Sequence, residues 1–577
     1  MKKPAFRKKF GTGPEQAFEP AAVEPAGAAE PARAAAPVPG RPTGKTTQSL
    51  LAAAVVLAAV FGIAEVRRPA SPAAADDGVA PSTAQVERTA AVCPQPFQGL
   101  TGSTTLTAYT PPGTGSATGG AGWLSDQAAP ATPPTTSPSA PAQTGSPTAA
   151  PTGSPTAAPS GSGAPATPAP DKNAAPADAK LTLTKPGTPA TGPATNGDAA
   201  PGTGAVATGA LAPGFTVTQT TVVTEQRGLG LSGLTCTPEN TSFWFAGAST
   251  AGDRVDYLSL VNPESSAAVV DIQLYGDKGL IDNDAANGIT VAPGSSQSVL
   301  LSTISKGAVT DLAVHVVVRS GRIGAALHAA DGSKGADWIP ASADPAPTQV
   351  LPGLPADTAA AHLVVWAPPE DDADLKIQLS GKNGWFTPAG NESIHVKAGM
   401  VAAVDLGKVT RDEVAGLRLS PSDDKHAVPV VAGLRVDRTG GNGKSDAAWL
   451  TGSSPVGARA TVADNRAGAA TLFLTSTGDA ATVKVTGSAG SSGGTPATKE
   501  VQLPAGGTVA IPAPEPAGLN GVFALTVETE SGGPVVAARM LALPTKDVPM
   551  FTVQALRDDH STVQVPQAAQ DPGVVLR

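Results

Sequence analysis

The sequence is poor in charged and aromatic residues. Charged residues make up 15 % of its 577 residues and aromatic residues 4 %, whereas about 25 % of an average soluble domain is charged. With 65 Gly and 57 Pro, long helices are disfavoured, and cores must be built mainly from Val, Leu, Ile and Ala. Branched side chains pack well on a pleated surface, so the composition favours strands.

A basic surface is missing from most of the chain. Residues 1–47 hold eight Lys and Arg against four Glu, a charge of +4, which leaves −13 for the rest of a chain whose net charge is −9. Binding of a nucleic acid requires a basic face that neutralises phosphates. The acidic part is therefore not expected to bind nucleic acid.

Only two cysteines occur, Cys93 and Cys236. They form no CxxC motif and no Cys/His group, so the sequence offers no zinc site. Both follow the apolar segment described below, and a pair of thiols in an exported region indicates a disulfide formed in an oxidising compartment. Two unpaired thiols are the alternative.

Recognisable catalytic sets are lacking. No Ser-His-Asp or Cys-His set and no HExxH motif stands out, although a triad can be scattered along a sequence. His315 and His395 fall inside alternating strands and are interpreted as polar-face or hydrogen-bonded residues. We expect no catalytic residue, no cofactor and no enzymatic activity.

Two acidic loops resemble cation sites only in part. DNDAANG at 282–288 places Asp282 and Asp284 like the first ligands of an EF-hand loop, but it lacks the later ligands and the required Gly. PPEDDAD at 368–374 collects four carboxylates. Both are interpreted as solvated turns between strands, with weak calcium binding by the second loop as the alternative.

One long apolar run is present, SLLAAAVVLAAVFGIA at 49–64. Residues 48–66 are just long enough to cross a bilayer as one helix, and the basic residues before them place the N-terminus in the cytoplasm. The segment predicts a signal anchor and a single-pass protein of the cell membrane whose bulk is extracytoplasmic. A cleaved signal peptide, or a start codon assigned too far upstream, is the alternative.

Two segments have the composition of disordered linkers. Residues 11–47 are rich in Ala, Pro and Glu, and residues from about 125 to 205 collapse to Pro, Ala, Thr, Ser and Gly. Such segments have too little apolar surface to offset the entropy of ordering. The second one interrupts strand-like sequence, which predicts a small split β domain closed by a Cys93–Cys236 bridge.

The remaining sequence repeats itself. NPESSAAVVDIQLYG (262–276) aligns with APPEDDADLKIQLSG (367–381) at an offset of 105, and a more diverged third copy begins near ATLFLTSTGDAATVKVTG (470–487). Each copy has short alternating strands separated by Pro and Gly turns, over about 100 residues. This pattern is typical of an antiparallel immunoglobulin-like sandwich.

The predicted fold class is all-β, with tandem antiparallel immunoglobulin-like β-sandwiches, one N-terminal transmembrane helix and disordered linkers. The predicted boundaries are a basic cytoplasmic tail (1–47), the helix (48–66), the split β domain with its disordered insertion (67–240, insertion about 125–205), three sandwiches (241–345, 346–455 and 456–556) and a C-terminal tail (557–577).

The stretch WFAGASTAGDRVDYLSLVNPESSAAVVDIQLYGDKG (244–279), followed by APGSSQSVLL, AVHVVVRSGRIGAAL and ADWIP, resembles an uncharacterised family of actinobacterial membrane-anchored or secreted proteins. The resemblance covers roughly residues 90 to 555. It implies an extracytoplasmic location and carries no known catalytic residues.

Three tryptophans are candidates for ligand contact, Trp244, Trp338 and Trp449. Aromatic faces stack on sugar rings, but Trp338 and Trp449 hold the same place in successive repeats, which is typical of packing residues. The sequence favours a non-enzymatic envelope protein that binds or scaffolds cell-wall polymer or a partner envelope protein. The alternatives are a passive spacer and a glycan-processing hydrolase that uses carboxylates such as Asp253 and Asp256.

Overall fold

The computed structural model describes residues 82–96, 102–113, 119–127, 174–196, 200–224, 229–545 and 547–565. The predicted tail at 1–47 and helix at 48–66 lie outside these residues. Within them, no helix combines the length and the apolar character needed to span a membrane.

The described residues are almost entirely strands, and all their strand pairs are antiparallel, so the predicted all-β class is confirmed. Helical structure in this part of the chain is limited to single 3-10 turns, at Gly209–Leu211, Asp284–Ala286, Leu301–Thr303 and Asp424–His426.

The strands group into four modules, each made of two facing sheets that share one apolar core. The first is the disulfide module, which contains the Cys93–Cys236 bridge with Cα atoms 4.7 Å apart. It is preceded by β1 (Ser82–Gln85) and is formed by β2 (Arg88–Cys93), β3 (Gly102–Tyr109), β4 (Gly122–Gln127), β5 (Leu181–Leu183), β6 (Ala190–Thr191), β7 (Thr195–Asn196), β8 (Gly202–Thr208), β9 (Thr216–Val223) and β10 (Gly230–Thr235).

The sheets of the disulfide module have the orders β2-β8-β4-β5 and β10-β9-β3-β6, with β7 also on β3. Strands β5 to β8 begin inside 125–205, the segment whose composition predicts disorder. Ordered structure on the far side of this insertion therefore starts earlier than predicted, because short Thr- and Val-containing strands there pair with β3 and β4. Residues 128–173 lie outside the described part.

Module 1 has the sheet orders β11-β17-β13-β14, with β15 also on β13, and β16-β12-β18-β19. Its strands are β11 (Ser242–Ala248), β12 (Arg254–Asn262), β13 (Ala268–Gly276), β14 (Gly279–Ile281), β15 (Ile289–Val291), β16 (Ser295–Leu300), β17 (Leu312–Ser320), β18 (Gly324–Asp331) and β19 (Gly335–Ile339).

Module 2 repeats this order strand for strand, as β20-β26-β22-β23, with β24 on β22, and β25-β21-β27-β28. Its strands are β20 (Gln349–Leu354), β21 (Ala360–Trp366), β22 (Ala373–Gly381), β23 (Gly384–Phe386), β24 (Ser393–Val396), β25 (Val401–Asp405), β26 (Ala415–Pro421), β27 (Val431–Thr439) and β28 (Ser445–Thr451).

Module 3 has the sheet orders β29-β36-β31-β33 and β34-β30-β37-β38, and a small β32-β35 pair. Strand β39 follows module 3 and pairs with β1. The strands are β29 (Arg459–Asn465), β30 (Ala470–Ser476), β31 (Ala481–Gly487), β32 (Gly493–Thr495), β33 (Ala497–Leu503), β34 (Thr508–Pro512), β35 (Ala517–Asn520), β36 (Phe523–Gly532), β37 (Val535–Ala542), β38 (Phe551–Leu556) and β39 (Thr562–Val565).

The alternation of apolar and polar residues explains how the strands form cores. In β22, Ala373, Leu375 and Ile377 are buried, whereas Asp374 and Lys376 between them are exposed. Since successive strand residues point to opposite faces, this pattern places one face of the sheet in the core of module 2. The other modules follow the same rule.

The described residues belong to one compact unit, and the modules contact one another closely. At Gly324 in β18, a Cβ atom would lie 2.5 Å from the side chain of Val92 in β2. Only glycine fits such a contact, so the disulfide module packs tightly against module 1.

Candidate functional site

One strand from each module meets at a central junction. Strands β10, β19, β28 and β38 each end the strand order of a sheet, and β10 and β28 both contact β19 and β38. A strand at the end of a sheet has main-chain N–H and C=O groups without a ladder partner. The junction therefore buries four sheet edges, and their polar groups need other partners.

Two aspartates supply acceptors at this junction. Asp446 in β28 accepts hydrogen bonds from Phe551 N (2.8 Å) and Leu231 N (3.4 Å), which belong to β38 and β10. Asp337 in β19 accepts one from Gly233 N in β10 (2.9 Å). Each carboxylate thus joins its own module to the edge strand of another.

Both carboxyl groups are buried, and burial disfavours their ionised form. It raises the pKa of Asp446 to about 7, against the opposing effect of its main-chain donors. It raises the pKa of Asp337 well above the ordinary range, and the charge of Asp446 adds to this effect. The ionisation of the junction therefore depends on pH near neutrality.

A buried guanidinium lies in the module 3 part of the junction. Arg539 in β37 is 0 % exposed, and its Nη2 donates to Gln554 Oε1 (2.5 Å) and to Ala463 O (3.3 Å). Burial lowers its pKa to about 10, partly offset by the nearby Asp464 carboxylate. Arg539 remains charged at neutral pH and fixes the orientation of the Gln554 amide.

A junction cavity of about 480 Å³ opens where the disulfide module, module 1 and module 3 meet. Its walls include residues of β2 and β10, the start of β18, the end of β19 and the end of β38 with the residues that follow it. Cys236 is among its lining residues, so the disulfide stabilises one wall.

Two residues that line the junction cavity carry buried polar atoms. Gln554 Nε2 and Thr216 Oγ1 have no hydrogen-bond partner among the described residues. Both atoms are closed off from solvent, so they lie behind the surface of the cavity. A buried polar group without a partner is costly.

Charged residues surround the mouth of the junction cavity. Arg88 and Arg557 line it and are exposed to solvent, and Glu239 lines it and is half-buried. The guanidinium of Arg557 donates to Ala341 O, and within the described part of the chain neither Arg88 nor Arg557 forms an ion pair with a carboxylate. The mouth offers charges of both signs around an apolar interior.

The three candidate tryptophans occupy different places. Trp338 lines the junction cavity and is 2 % exposed. Trp449 packs in the core of module 1 with Arg254 at 5.3 Å from its ring, although it belongs to β28 of module 2. Trp244 stacks on His315 with ring centres 3.8 Å apart. The structure does not bring the three together.

A second concavity, of about 430 Å³, lies on module 2 and contains histidine–aspartate pairs. His395 Nδ1 lies 2.8 Å from Asp374 and His426 Nδ1 lies 3.0 Å from Asp423. Throughout the described ranges, no group of three or more His, Cys, Asp or Glu residues is arranged to hold a metal ion.

The other residues considered from sequence have structural surroundings. Asp256 is buried against Arg254 (2.7 Å), whereas Asp253 is exposed in a turn. The loop at 282–288 includes a 3-10 turn whose Asn283 side chain accepts from Ala285 N (3.0 Å). In the loop at 368–374, Asp372 accepts from Ala398 N (2.8 Å).

Residues 490–494 (GSSGG) match the GxSxG pattern of serine hydrolases. They form a turn that leads into β32, and Ser492 N donates to Asn520 O. In the hydrolases the serine lies between a strand and a helix, and this turn leads into a strand. The match carries no catalytic assignment.

Sequence reasoning did not identify Gln554, Arg539, Asp337 or Asp446 as members of a site. One signal was available: Gln554 pairs with Arg539 at the strand position where module 1 pairs Trp338 with His328 and module 2 pairs Trp449 with Arg435. A polar residue at a position otherwise occupied by tryptophan indicates a different environment in module 3.

Comparison with known proteins yields one family match. No curated protein matches the chain. A family of unknown function, DUF5719, matches residues 191–514, which is more than half of the chain and includes modules 1 and 2 completely. The chain belongs to this family of unknown function, DUF5719.

Proposed function

We propose that the protein is a non-enzymatic binding protein of the cell envelope, held outside the cytoplasmic membrane, and that the junction cavity receives part of its partner. The observation that carries the proposal is the cavity itself. It has about 480 Å³ of space between three modules, within the range of ligand sites, and Gln554 and Thr216 in its lining carry polar atoms that lack partners in the described structure.

The location outside the cytoplasm is supported by two features. The Cys93–Cys236 disulfide is of the kind that persists in oxidising compartments. The apolar segment at 48–66 has the length and flanking charges of a signal anchor. On this proposal the described modules are held at the membrane by that segment.

We further propose that the modules are immunoglobulin-like sandwiches and act as separate domains, with modules 1, 2 and 3 at 241–345, 346–455 and 456–556. The recurring strand order of modules 1 and 2 supports this division. Each module also has a core of its own, to which the following module adds a few side chains. The junction cavity then lies between domains, where binding sites commonly occur.

A partner protein is favoured over cell-wall polymer. Sugar binding by stacking needs exposed aromatic faces. Trp244, Trp366 and Trp449 are less than 9 % exposed, and neighbouring side chains cover them. Trp338 lines the junction cavity but is only 2 % exposed. The cavity instead combines apolar side chains, several of them small, with hydrogen-bonding groups, which suits a polypeptide.

Retention of solubilised envelope proteins and of isolated cell-wall polymer on the immobilised full-length chain tests the proposal. The variant Ala555→Trp fills the cavity, because Ala555 lines it. The control Ala267→Trp adds the same side chain at an exposed position of module 1 outside the cavity. Melting temperatures check that both variants fold.

We expect the wild type and Ala267→Trp to retain an envelope protein in a saturable manner and Ala555→Trp to lose it. Equal retention by all three would contradict the role of the cavity. Retention of polymer alone, lost in Ala555→Trp, would keep the cavity and replace the protein partner with a glycan. Retention of neither fraction would favour a passive spacer.

A further inference from the structure

Strand β2 forms one wall of the junction cavity, and among the described residues only one of its edges is paired along its length. The paired edge faces β8, where Cys93 lies opposite Thr203 and Arg88 opposite Thr208. In an antiparallel ladder, residues alternate between those that bond to the neighbour and those whose main-chain groups point away from it. The residues whose main-chain groups point away from β8 therefore determine which N–H and C=O groups are available at the free edge of β2.

The main-chain hydrogen bonds at both ends of β2 identify the residues that point away from β8. Val92 exchanges main-chain bonds with Thr237 (2.8 and 3.2 Å), and Val86 N donates to Ser561 O (3.1 Å). Glu87 O, one residue out of phase, accepts from Gly209 N beyond β8 (2.9 Å). The even-numbered residues therefore point away from β8.

Two residues between Val86 and Val92 have main-chain groups without hydrogen-bond partners. Arg88 and Ala90 share the outward orientation of Val86 and Val92 and line the cavity. Across the described ranges, neither N–H nor C=O of these two residues has a hydrogen-bond partner. The wall presents two donor–acceptor pairs spaced by about 6.6 to 6.8 Å, the two-residue repeat of a strand.

Strands β38 and β10, which form two other walls of the cavity, also have main-chain groups that point away from their paired neighbours. In β38, Phe551 N points outward to Asp446, so Ala555, four residues later, also presents its main-chain groups away from β37. In β10, Gly233 N points outward to Asp337, and Thr235 follows in the same phase. Ala555 and Thr235 both line the cavity.

The side chains between these edges are small. Ala90, Ala325, Ala326, Ala555, Gly233 and Gly324 line the cavity. Small side chains let another main chain approach a sheet edge closely, and apolar ones leave its amides without competing partners.

Resting on the proposed function, we propose that the junction cavity captures a short extended segment of the partner polypeptide, which adds as a strand to the free edge of β2. Arg88 and Ala90 supply the main-chain hydrogen bonds. Strand addition of this kind takes affinity from main-chain bonds and specificity from alternate side chains. The small cavity walls select small or apolar side chains in the segment.

The variant Ala90→Pro tests the hydrogen bonds directly. Proline removes the outward N–H of residue 90, and the β2–β8 ladder does not use that group, so the strand retains its pairing. Ala90→Val is the matched control, since it adds similar bulk and keeps the N–H. The probe is a set of peptides selected from a displayed library of random short peptides on the full-length chain.

We expect selected peptides to bind the wild type and Ala90→Val and to lose about tenfold or more in affinity for Ala90→Pro, the effect of one lost hydrogen bond and a steric block. A second test needs only the wild type. N-methylation of alternate peptide amides should abolish binding for one alternate set and spare the other, because only one set faces β2.

Equal affinity of the peptides for Ala90→Pro and the wild type would overturn the inference, as would tolerance of N-methylation at both sets. Envelope-protein retention separates this failure from that of the proposed function. If retention is lost in Ala555→Trp and unchanged in Ala90→Pro, strand addition is wrong and the binding function stands. If neither substitution affects retention, the proposed function fails as well.

Discussion

Two junctions between modules are built from different chemistry. Modules 1 and 2 meet at the aromatic junction, where Trp244 and Trp366 have ring centres 4.2 Å apart and Tyr275 lies 5.2 Å from Trp366. At the central junction, the contacts are made by the buried carboxylates Asp337 and Asp446. The first junction joins sheet faces and the second joins sheet edges.

The difference follows from what each surface needs. A sheet face presents side chains, and aromatic rings fill the space between two faces. The aromatic junction leaves one buried polar atom, Trp366 Nε1, without a hydrogen-bond partner among the described residues. A sheet edge presents main-chain amides that must keep hydrogen-bond acceptors when buried. Burying edges therefore requires buried hydrogen-bond acceptors, and where these are lacking, as along Arg88 and Ala90, a cavity remains.

The largest expected effect comes from a substitution that disrupts the aromatic junction. Trp366 is 4 % exposed, and Trp366→Ala removes a large buried side chain. We expect a loss of about 3 to 5 kcal/mol in the free energy of unfolding, measured by urea denaturation. The control Phe386→Ala removes an aromatic ring that is 39 % exposed and should cost much less. Equal losses in the two variants would mean that the aromatic junction does not stabilise the folded protein.

The next effect concerns Asp446 at the central junction. Burial raises its pKa from 3.8 to about 7, so the folded state binds a proton in this window that the unfolded state releases. Stability from this group therefore increases as the pH falls through about 7 and is complete below the unfolded pKa. The total is on the order of a few kcal/mol.

The variant Asp446→Asn cannot titrate at this position. We expect its melting temperature to change less than that of the wild type between about pH 8 and pH 5, whatever its absolute stability. Arg438 and Asp337 also act on this carboxyl group, so the comparison uses the difference between the two pH curves. Parallel curves would show that Asp446 does not titrate in this range.

The smallest expected effect concerns His362, at the edge of the aromatic junction. His362 of module 2 lies between Asp311 of module 1 (2.7 Å) and Asp405 (2.6 Å). The hydrogen bond to Asp311 raises the pKa of His362, against the effect of burial, and the bond to Asp405 adds to it. The contribution is fully present below the unfolded pKa near 6.5 and is lost as the pH rises through the higher folded value.

We expect His362→Gln to cost about 1 kcal/mol or less at acidic pH and nothing at alkaline pH, because the Asp405 side chain is 83 % exposed and solvent screens the pair. NMR titration of the imidazole in the folded wild type measures its pKa. A titration midpoint at or below 6.5 would show that His362 does not contribute to stability in this way. Both junctions would otherwise gain stability on acidification, one by neutralising an anion and the other by forming a cation.

The local structure followed from sequence patterns. The alternating runs at 268–276 and 373–381 are strands β13 and β22, and each ends at the expected Gly. Period-2 alternation is a local property, so it can be read without knowledge of distant contacts. The two cysteines were also sufficient to predict the bridge, because no other pairing is available within the chain.

The junctions did not follow from sequence in the same way. Leu231 and Phe551 donate to one carboxylate although 320 residues separate them in sequence. Asp446 precedes an apolar run as many solvent-exposed aspartates do, and nothing local signals its burial. Likewise, the tryptophans predicted to contact a ligand stand out in the sequence because of their residue type. Ala90 and Arg88 do not stand out, because their proposed role depends on main-chain groups that nearly every residue has.

The pairing of β1 with β39 has a mechanical consequence. Ser82 lies opposite Val565 and Gln85 opposite Thr562, so the chain enters and leaves this ribbon at the same end. A force that pulls Ser82 and Val565 apart would open the ribbon one pair at a time, and each step breaks only a few hydrogen bonds. The four modules would carry no load until the ribbon had opened, and the Cys93–Cys236 bridge would then limit how far β2 could extend.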